Sequence, residues 1–212
     1  MALIVALYAR TFLVQAFRVP SDSMAPNLVA GDHVLVNKFV FSPGAPWLPN
    51  RHVRPNDLVV FRLPGEPGQV LVKRCVGCGS DLVELRDKRL FVNDVAVEEP
   101  WVIHRDEHVY PRSRFAPSEL RTRDNFGPIR VPPGHLFCLG DNRDESRDSR
   151  AFGAVPERDV LGRPLVVYWS SAPAESAPAG GGALARSRLG TAARSALAFF
   201  RPSPERVLGW AR

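Results

Sequence analysis

Val70-Leu71-Val72-Lys73-Arg74-Cys75-Val76-Gly77 reads as a β-strand with two cations set into its middle. Side chains alternate between the faces of a strand, so Lys73 shares a face with Leu71 and Cys75, and Arg74 shares one with Val72 and Val76. A strand buried on one face cannot send both charges to water, so one of the pair is paired or desolvated. A salt-bridged arginine or an edge lysine is the plain reading; a lysine kept dry for chemistry is the sharp one. Runs of the same kind recur on either side: Val34-Leu35-Val36, Leu58-Val59-Val60-Phe61, Leu136-Phe137-Cys138-Leu139 and Leu165-Val166-Val167-Tyr168-Trp169. Pro64-Gly65, Pro67-Gly68 and Pro133-Gly134 punctuate them as turns. Twenty prolines and sixteen glycines in 212 residues disfavour long helices, so the chain is predicted to be mainly β.

Composition narrows the function. Apolar residues at 45% and charged residues at 24% suit a chain that buries a core and argue against wholesale disorder. The formal charge of +6 invites a nucleic-acid reading. However, Arg186, Arg188, Arg194, Arg201, Arg206 and Arg212 against Glu175 and Glu205 put most of the excess after Ser171. The body is left with too little for a polyanion footprint, so no nucleic-acid partner is expected. Cys75 and Cys78 have CxxC spacing and Cys138 stands alone, with no second pair or nearby histidine to complete a zinc site. They read as small apolar residues filling a core.

The ends differ from the body. Ala2 to Tyr8 is almost wholly apolar, Arg10 interrupts it, and Thr11 to Phe17 resumes. As a helix, Ala2 to Phe17 would span roughly 24 Å against a hydrocarbon core of roughly 30 Å. Residues 1–18 are read as a membrane anchor, the lower part of a spanning helix whose native start is expected upstream of Met1. The positive flank and cleavage site of a secretory leader are missing. Residues 19–171 form the β domain, with a more polar lobe inserted at about 81–130. Residues 172–212 comprise an Ala/Gly/Pro-rich linker and a basic tail, read either as a membrane-surface helix or as disordered. Trp47 suits the lipid interface and core packing equally well.

Chemistry concentrates in three stretches. Pro20-Ser21-Asp22-Ser23-Met24 places two serines two apart after a proline, which a hydroxyl-bonded turn would explain. Lys73-Arg74 is the second. The third, Gly140-Asp141-Asn142-Arg143-Asp144-Glu145-Ser146-Arg147-Asp148-Ser149-Arg150, follows an apolar strand with a density of alternating charge that suits a solvated turn or a network bracing a site. None of the three identifies an enzyme alone.

Taken in order, with Leu28, Gly31-Asp32, Asp57-Leu58-Val59-Val60-Phe61 and Val76-Gly77, they resemble the bacterial type I signal peptidases over almost the whole chain up to Trp169. The resemblance implies an antiparallel β-sheet or partly open barrel behind an N-terminal transmembrane helix. It implies a serine endopeptidase in the inner or plasma membrane, single-pass, with its catalytic domain outside the cytoplasm. Its partners would be membrane lipid and exported preproteins bearing signal peptides, cut after small residues at the −1 and −3 positions, with no cofactor or metal. Carried over position by position, Ser23 is the nucleophile and Lys73 the general base of a Ser–Lys dyad. The Ser23 N–H and the Ser21 hydroxyl form the oxyanion hole, Ser146 holds the Lys73 amine, and Asp148 and Arg150 brace the loop as a salt bridge.

That chemistry makes a strict demand. A free lysine, with a pKa of about 10.4, is nearly all ammonium at neutral pH; bringing it to roughly 7–8 means a preference for the neutral form of about 3–5 kcal/mol. Desolvation beside groups such as Leu71 supplies shifts of that size, and a carboxylate against the amine would cancel them. Asp148 is therefore expected to turn toward Arg150, and Asp22 to point away from Lys73. Asp22 stands where many members have glycine, Cys78-Gly79-Ser80-Asp81 replaces a usual Leu-Pro-Gly-Asp, and Asn27 replaces a commoner threonine. These departures motivate one alternative, a catalytically inactive membrane-bound binding module. A self-cleaving repressor-type protease is the other, and it would need a DNA-binding domain before the catalytic part.

Overall fold

The computed structural model describes residues 14–41 and 51–171, apart from 114 and 116. Among them the strands form two antiparallel sheets. The larger runs in the order β1 (Val14–Arg18), β2 (Asp32–Asn37), β11 (Val160–Ser170), β3 (Leu58–Leu63), β4 (Glu66–Cys78), β9 (His135–Leu139) and β10 (Val155–Pro156). The smaller is built from the polar middle of the chain, in the order β7 (Val95–Ala96), β6 (Arg89–Val92), β5 (Leu82–Arg86) and β8 (Phe126–Arg130). β1 and β10 are edges of the larger sheet, which does not close into a barrel.

The continuous apolar run of β3 has a simple cause: the sheet is covered on both faces. Leu58 and Val60 join Val34, Val36, Val72, Met24 and Leu28 in one core cluster, while Val59 and Phe61 join Cys75, Cys138, Leu136 and Val155 in another. A third cluster knits Phe137 and Leu139 of β9 to Val83, Leu85 and Leu90 of the smaller sheet. Cys75 and Cys138 are thus core residues, and the cysteines are free thiols, with the Cys75 and Cys78 sulfurs 3.7 Å apart.

Register sets up the site. Lys73 pairs with Val59 of β3, and Arg74 with Leu58. On its other side β4 meets β9 only from Arg74 onward, where Arg74 lies opposite Leu139, the last residue of β9. Lys73 therefore sits just past the end of that ladder, beside the loop that begins at Gly140.

The sequence expectation of a helix through Arg18 is corrected here. Val14–Arg18 is a strand, paired antiparallel with β2 from Val14↔Asn37 to Arg18↔His33, and Phe17 packs against the Met24 cluster. A short apolar run fits either period, and the unpaired edge of β2 decides for the strand. No helix among the described residues is long and apolar enough to cross a membrane. The rest of the expected anchor, Trp47, the linker and the basic tail lie outside the described residues.

Candidate active site

Ser23 sits in a single 3-10 turn, Asp22–Met24, entered from extended Ser21. Burial of Met24 in the core fixes this turn, and Ser23 itself is buried. The Lys73 ammonium nitrogen donates to Ser23 Oγ in a short contact, and the Ser21 hydroxyl lies 3.2 Å from the same oxygen. In a first helical turn the backbone N–H groups have no partner within the turn, so the Ser23 N–H is available to an incoming oxygen.

Lys73 is 2% exposed. Burial lowers its pKa from 10.5 to about 8; Asp148 pulls it back up, Arg150 pushes it down, and Asp141 and Cys138 raise it slightly. The arrangement keeps the carboxylates occupied elsewhere. Asp148 is fully buried and held by the Arg150 guanidinium at 2.7 and 2.9 Å, and it accepts the Gly140 N–H at 3.1 Å and the Arg150 N–H at 3.1 Å. Burial would raise its pKa, but Arg150, the Gly140 N–H and Lys73 outweigh that and hold it below the usual carboxylate range. Asp22 is turned away from the amine, its carboxylate accepting the Ala30 N–H at 2.8 Å.

Both adjacent cations of β4 are buried, each by its own device. Arg74 forms a two-pronged pair with Asp141 at 2.8 Å on both bonds, under the ring of Trp101. Asn27 donates to the same Asp141 at 2.8 Å and to the Trp101 carbonyl. Among the described residues Lys73 has no carboxylate of its own, and it rests on a hydroxyl.

One expected contact differs. Ser146 was expected to hold the Lys73 amine; its Oγ is buried with no hydrogen-bond partner, and the amine meets Ser23 instead. Ser146 packs over the Cα of Gly140, where a methyl group would overlap both the Ser146 hydroxyl and the Ser23 carbonyl oxygen. Glycine is required at 140 by this close approach, a requirement invisible in a sequence that only shows a glycine after a strand.

Asn142 was also missed. Its N–H donates to the Ser23 carbonyl at 3.1 Å, and its side-chain amide donates to the Asp22 carbonyl at 3.3 Å. The Asp22 carbonyl and the Ser23 N–H belong to one peptide plane and point opposite ways across it, so Asn142 fixes the direction of that N–H. Asn142 is anchored in turn by a parallel bridge to Ile103. The signal available in sequence was its place in the charged loop, without any hint of its partner. Together the loop and the turn can activate a hydroxyl and receive a developing oxyanion.

Residues 1–169 match the family described as signal peptidase, peptidase S26. A signal peptidase I of Pseudomonas aeruginosa is 36% identical over 197 residues, covering 79% of this chain and 69% of that one. A signal peptidase I P of Bacillus subtilis subsp. natto is 33% identical over 170 residues, covering 79% and 84%. A solved signal peptidase I from Enterococcus faecalis V583 is 29% identical and superposes with a TM-score of 0.41 over 53% of this chain and 97% of that one.

Proposed function

The chain belongs to the S26 signal peptidase family and is a serine peptidase; from that membership we propose that it removes signal peptides from exported preproteins with a Ser23–Lys73 dyad. The observation that carries the reading is the buried lysine amine on the Ser23 hydroxyl, its pKa brought down to about 8 by desolvation.

Neutral Lys73 takes the Ser23 proton as Oγ attacks the carbonyl carbon of the scissile bond. The resulting oxyanion is received by the Ser23 N–H and by the Ser21 hydroxyl, which swings from its contact with Ser23 Oγ. Removing one such donor typically costs about 10²–10³ in rate. The Lys73 ammonium then gives its proton to the departing amine, and the C–N bond breaks to leave an acyl-Ser23. Lys73, neutral again, accepts a proton from the water that attacks the ester carbonyl, and its ammonium returns that proton to Ser23 Oγ as the C–Oγ bond breaks and the signal peptide leaves with a new carboxylate. Gly140 and Ser146 pack together against the Ser23 carbonyl, the Asp148–Arg150 pair keeps the nearest carboxylate engaged, and Asn142 aims the oxyanion donor.

The residues at −1 and −3 are read as small, held in pockets along an extended substrate that pairs with a strand edge. We assign membrane attachment to the chain before Val14, with the β domain outside the cytoplasm. Attachment would bring the dyad to the surface where cleavage sites emerge and raise their effective concentration.

The test is processing of a preprotein by the wild type, Ser23→Ala and Lys73→Ala. Cleavage by the wild type alone is expected. Equal processing by all three would remove the mechanism, and no processing by any would favour the binding module.

A further inference from the structure

The dyad makes no direct use of a knot of charge that joins the smaller sheet to the charged loop. Three carboxylates, Asp106, Asp124 and Asp144, surround the Lys88 ammonium at 3.4, 3.8 and 3.1 Å. The Lys88 side chain is 9% exposed and that of Asp144 3%. Arg123 serves Asp106 and Asp124, both at 2.9 Å, and stays 3.7 Å from Asp144. The His104 ring lies 3.3 Å from Asp144. Lys88 is thus the nearest lysine or arginine to Asp144, and a carboxylate so buried needs such a partner.

Lys88 stands where a lysine is poorly suited. Asp87 and Lys88 form the two-residue turn between β5 and β6, closed by Arg86 opposite Arg89, with φ of 48° and 67°. Turns of this hand favour Asn-Gly, because a side chain in the left-handed region crowds its own backbone. Strain of this kind persists where the surroundings hold the residue in place. Here they hold it by its ammonium.

That ammonium closes a clasp. Residues 103–106 run along residues 141–144. The Ile103 N–H donates to the Asp141 carbonyl at 2.9 Å, and the Arg143 N–H to the Ile103 carbonyl at 3.1 Å. The Arg105 and Asp106 N–H groups donate to the Asp144 carboxylate at 2.8 and 3.3 Å. Lys88 donates to both sides, to the Asp106 carbonyl at 2.9 Å and to the Asp144 carboxylate at 3.1 Å. Between Asp141 and Asp144 sits Asn142, which holds the Ser23 and Asp22 carbonyls.

We propose that Lys88 is a positioning residue for the peptidase reaction. From the tip of the β5–β6 hairpin it clasps residues 103–106 to the charged loop, and so keeps Asn142 aiming the Ser23 N–H at the oxyanion. This rests on the peptidase reading above, and it gives the inserted lobe a part in the chemistry.

The experiment is peptide cleavage by the full chain in detergent micelles. It compares the wild type, Lys88→Gly, Lys88→Arg, Asn142→Ala and the combination of Asn142→Ala with Lys88→Gly. Lys88→Gly gives the turn its preferred residue while removing the ammonium, and thermal unfolding reports whether each variant is folded. Its kcat is expected to fall about tenfold with KM changed by less than about twofold, since a small misplacement remote from the chemistry acts on the rate. The acidic limb should stay near 8, because Lys73 is untouched. Lys88→Arg, which keeps a cation for Asp144, should recover most of the loss. In the Asn142→Ala background Lys88→Gly should cost less than about twofold more, because the group it acts through is gone. Lys88→Met, uncharged and of similar length, puts the same question should the glycine variant unfold. An unchanged kcat, or a tenfold loss repeated on top of Asn142→Ala, would overturn the inference and leave the peptidase reading standing. If the wild type cuts no peptide, the function itself falls and takes this inference with it.

Discussion

The protonation state of Lys73 is the quantity most open to measurement. With a pKa of 10.5 a lysine is about 0.03% neutral at pH 7, and with one of about 8 it is about 10% neutral, so burial multiplies the neutral amine by about 300. The corresponding bias against the ammonium is about 3 kcal/mol at 1.36 kcal/mol per pH unit. Val59 is the cross-strand partner of Lys73 and fully buried, so its side chain lies on the same face of the sheet. Val59→Asp sets a carboxylate beside the lysine. At about 4 Å and an effective dielectric of about 20, the attraction is about 4 kcal/mol, more than burial withdraws from the charged form. The assay is kcat/KM for peptide cleavage between pH 6 and 10. For the wild type it should climb tenfold per unit and level off near 8. For Val59→Asp the rise should continue to 10 or beyond, with activity at pH 7 down about 10²–10³-fold. Val59→Asn has nearly the same shape without the charge and should keep its limb near 8. If the Asp and Asn variants share one limb, or if the wild type is still climbing at pH 10, the dry-amine account is refuted.

Other outcomes follow from the same contacts. Gly140→Ala, which drives a methyl into Ser146 and the Ser23 carbonyl, should abolish cleavage while circular dichroism stays native. Asn142→Ala should lower kcat about 10²-fold with little change in KM and with the acidic limb still near 8, since it frees the oxyanion donor and leaves the amine alone. Lys73→Met should unfold at higher temperature at pH 7. The depressed folded-state pKa is a stability cost fully present below about 8 and relieved as pH rises to 10.5, so the gain of up to about 3 kcal/mol should vanish above that pH. Arg74→Met should cost about 3–5 kcal/mol of stability by stranding Asp141, and adding Asp141→Asn should recover part of it, as read by denaturant unfolding.

How much of this was legible in the sequence depends on the range over which each signal acts. The strands of the large sheet show in the chain because their cause is local: apolar runs of strand length, with Pro-Gly turns at Pro64-Gly65 and Pro133-Gly134, although Pro67-Gly68, expected as a turn, runs inside β4. Val14–Arg18 was misread because five residues are too few to separate a period of two from one of 3.6, and the β2 edge that decides the matter is 15 or more residues away. Alternation alone required one of the two adjacent cations in β4 to be paired or desolvated; that both are buried appears only in the fold. Which of them was paired and which was dry did not, since Asp141 is 67 residues from Arg74 and Ser23 is 50 from Lys73. Gly140 and Asn142 were harder still. Their contributions are a missing methyl and a peptide plane held by a side-chain amide, and neither leaves a pattern in the residues around it. The division has a physical logic. A dry lysine beside a hydroxyl survives only if every neighbouring carboxylate has a better partner, so Arg74 on Asp141, Arg150 on Asp148 and the Ala30 N–H on Asp22 are as necessary to the base as its own burial. That is why a loop so rich in charge can stand against an amine that must carry none.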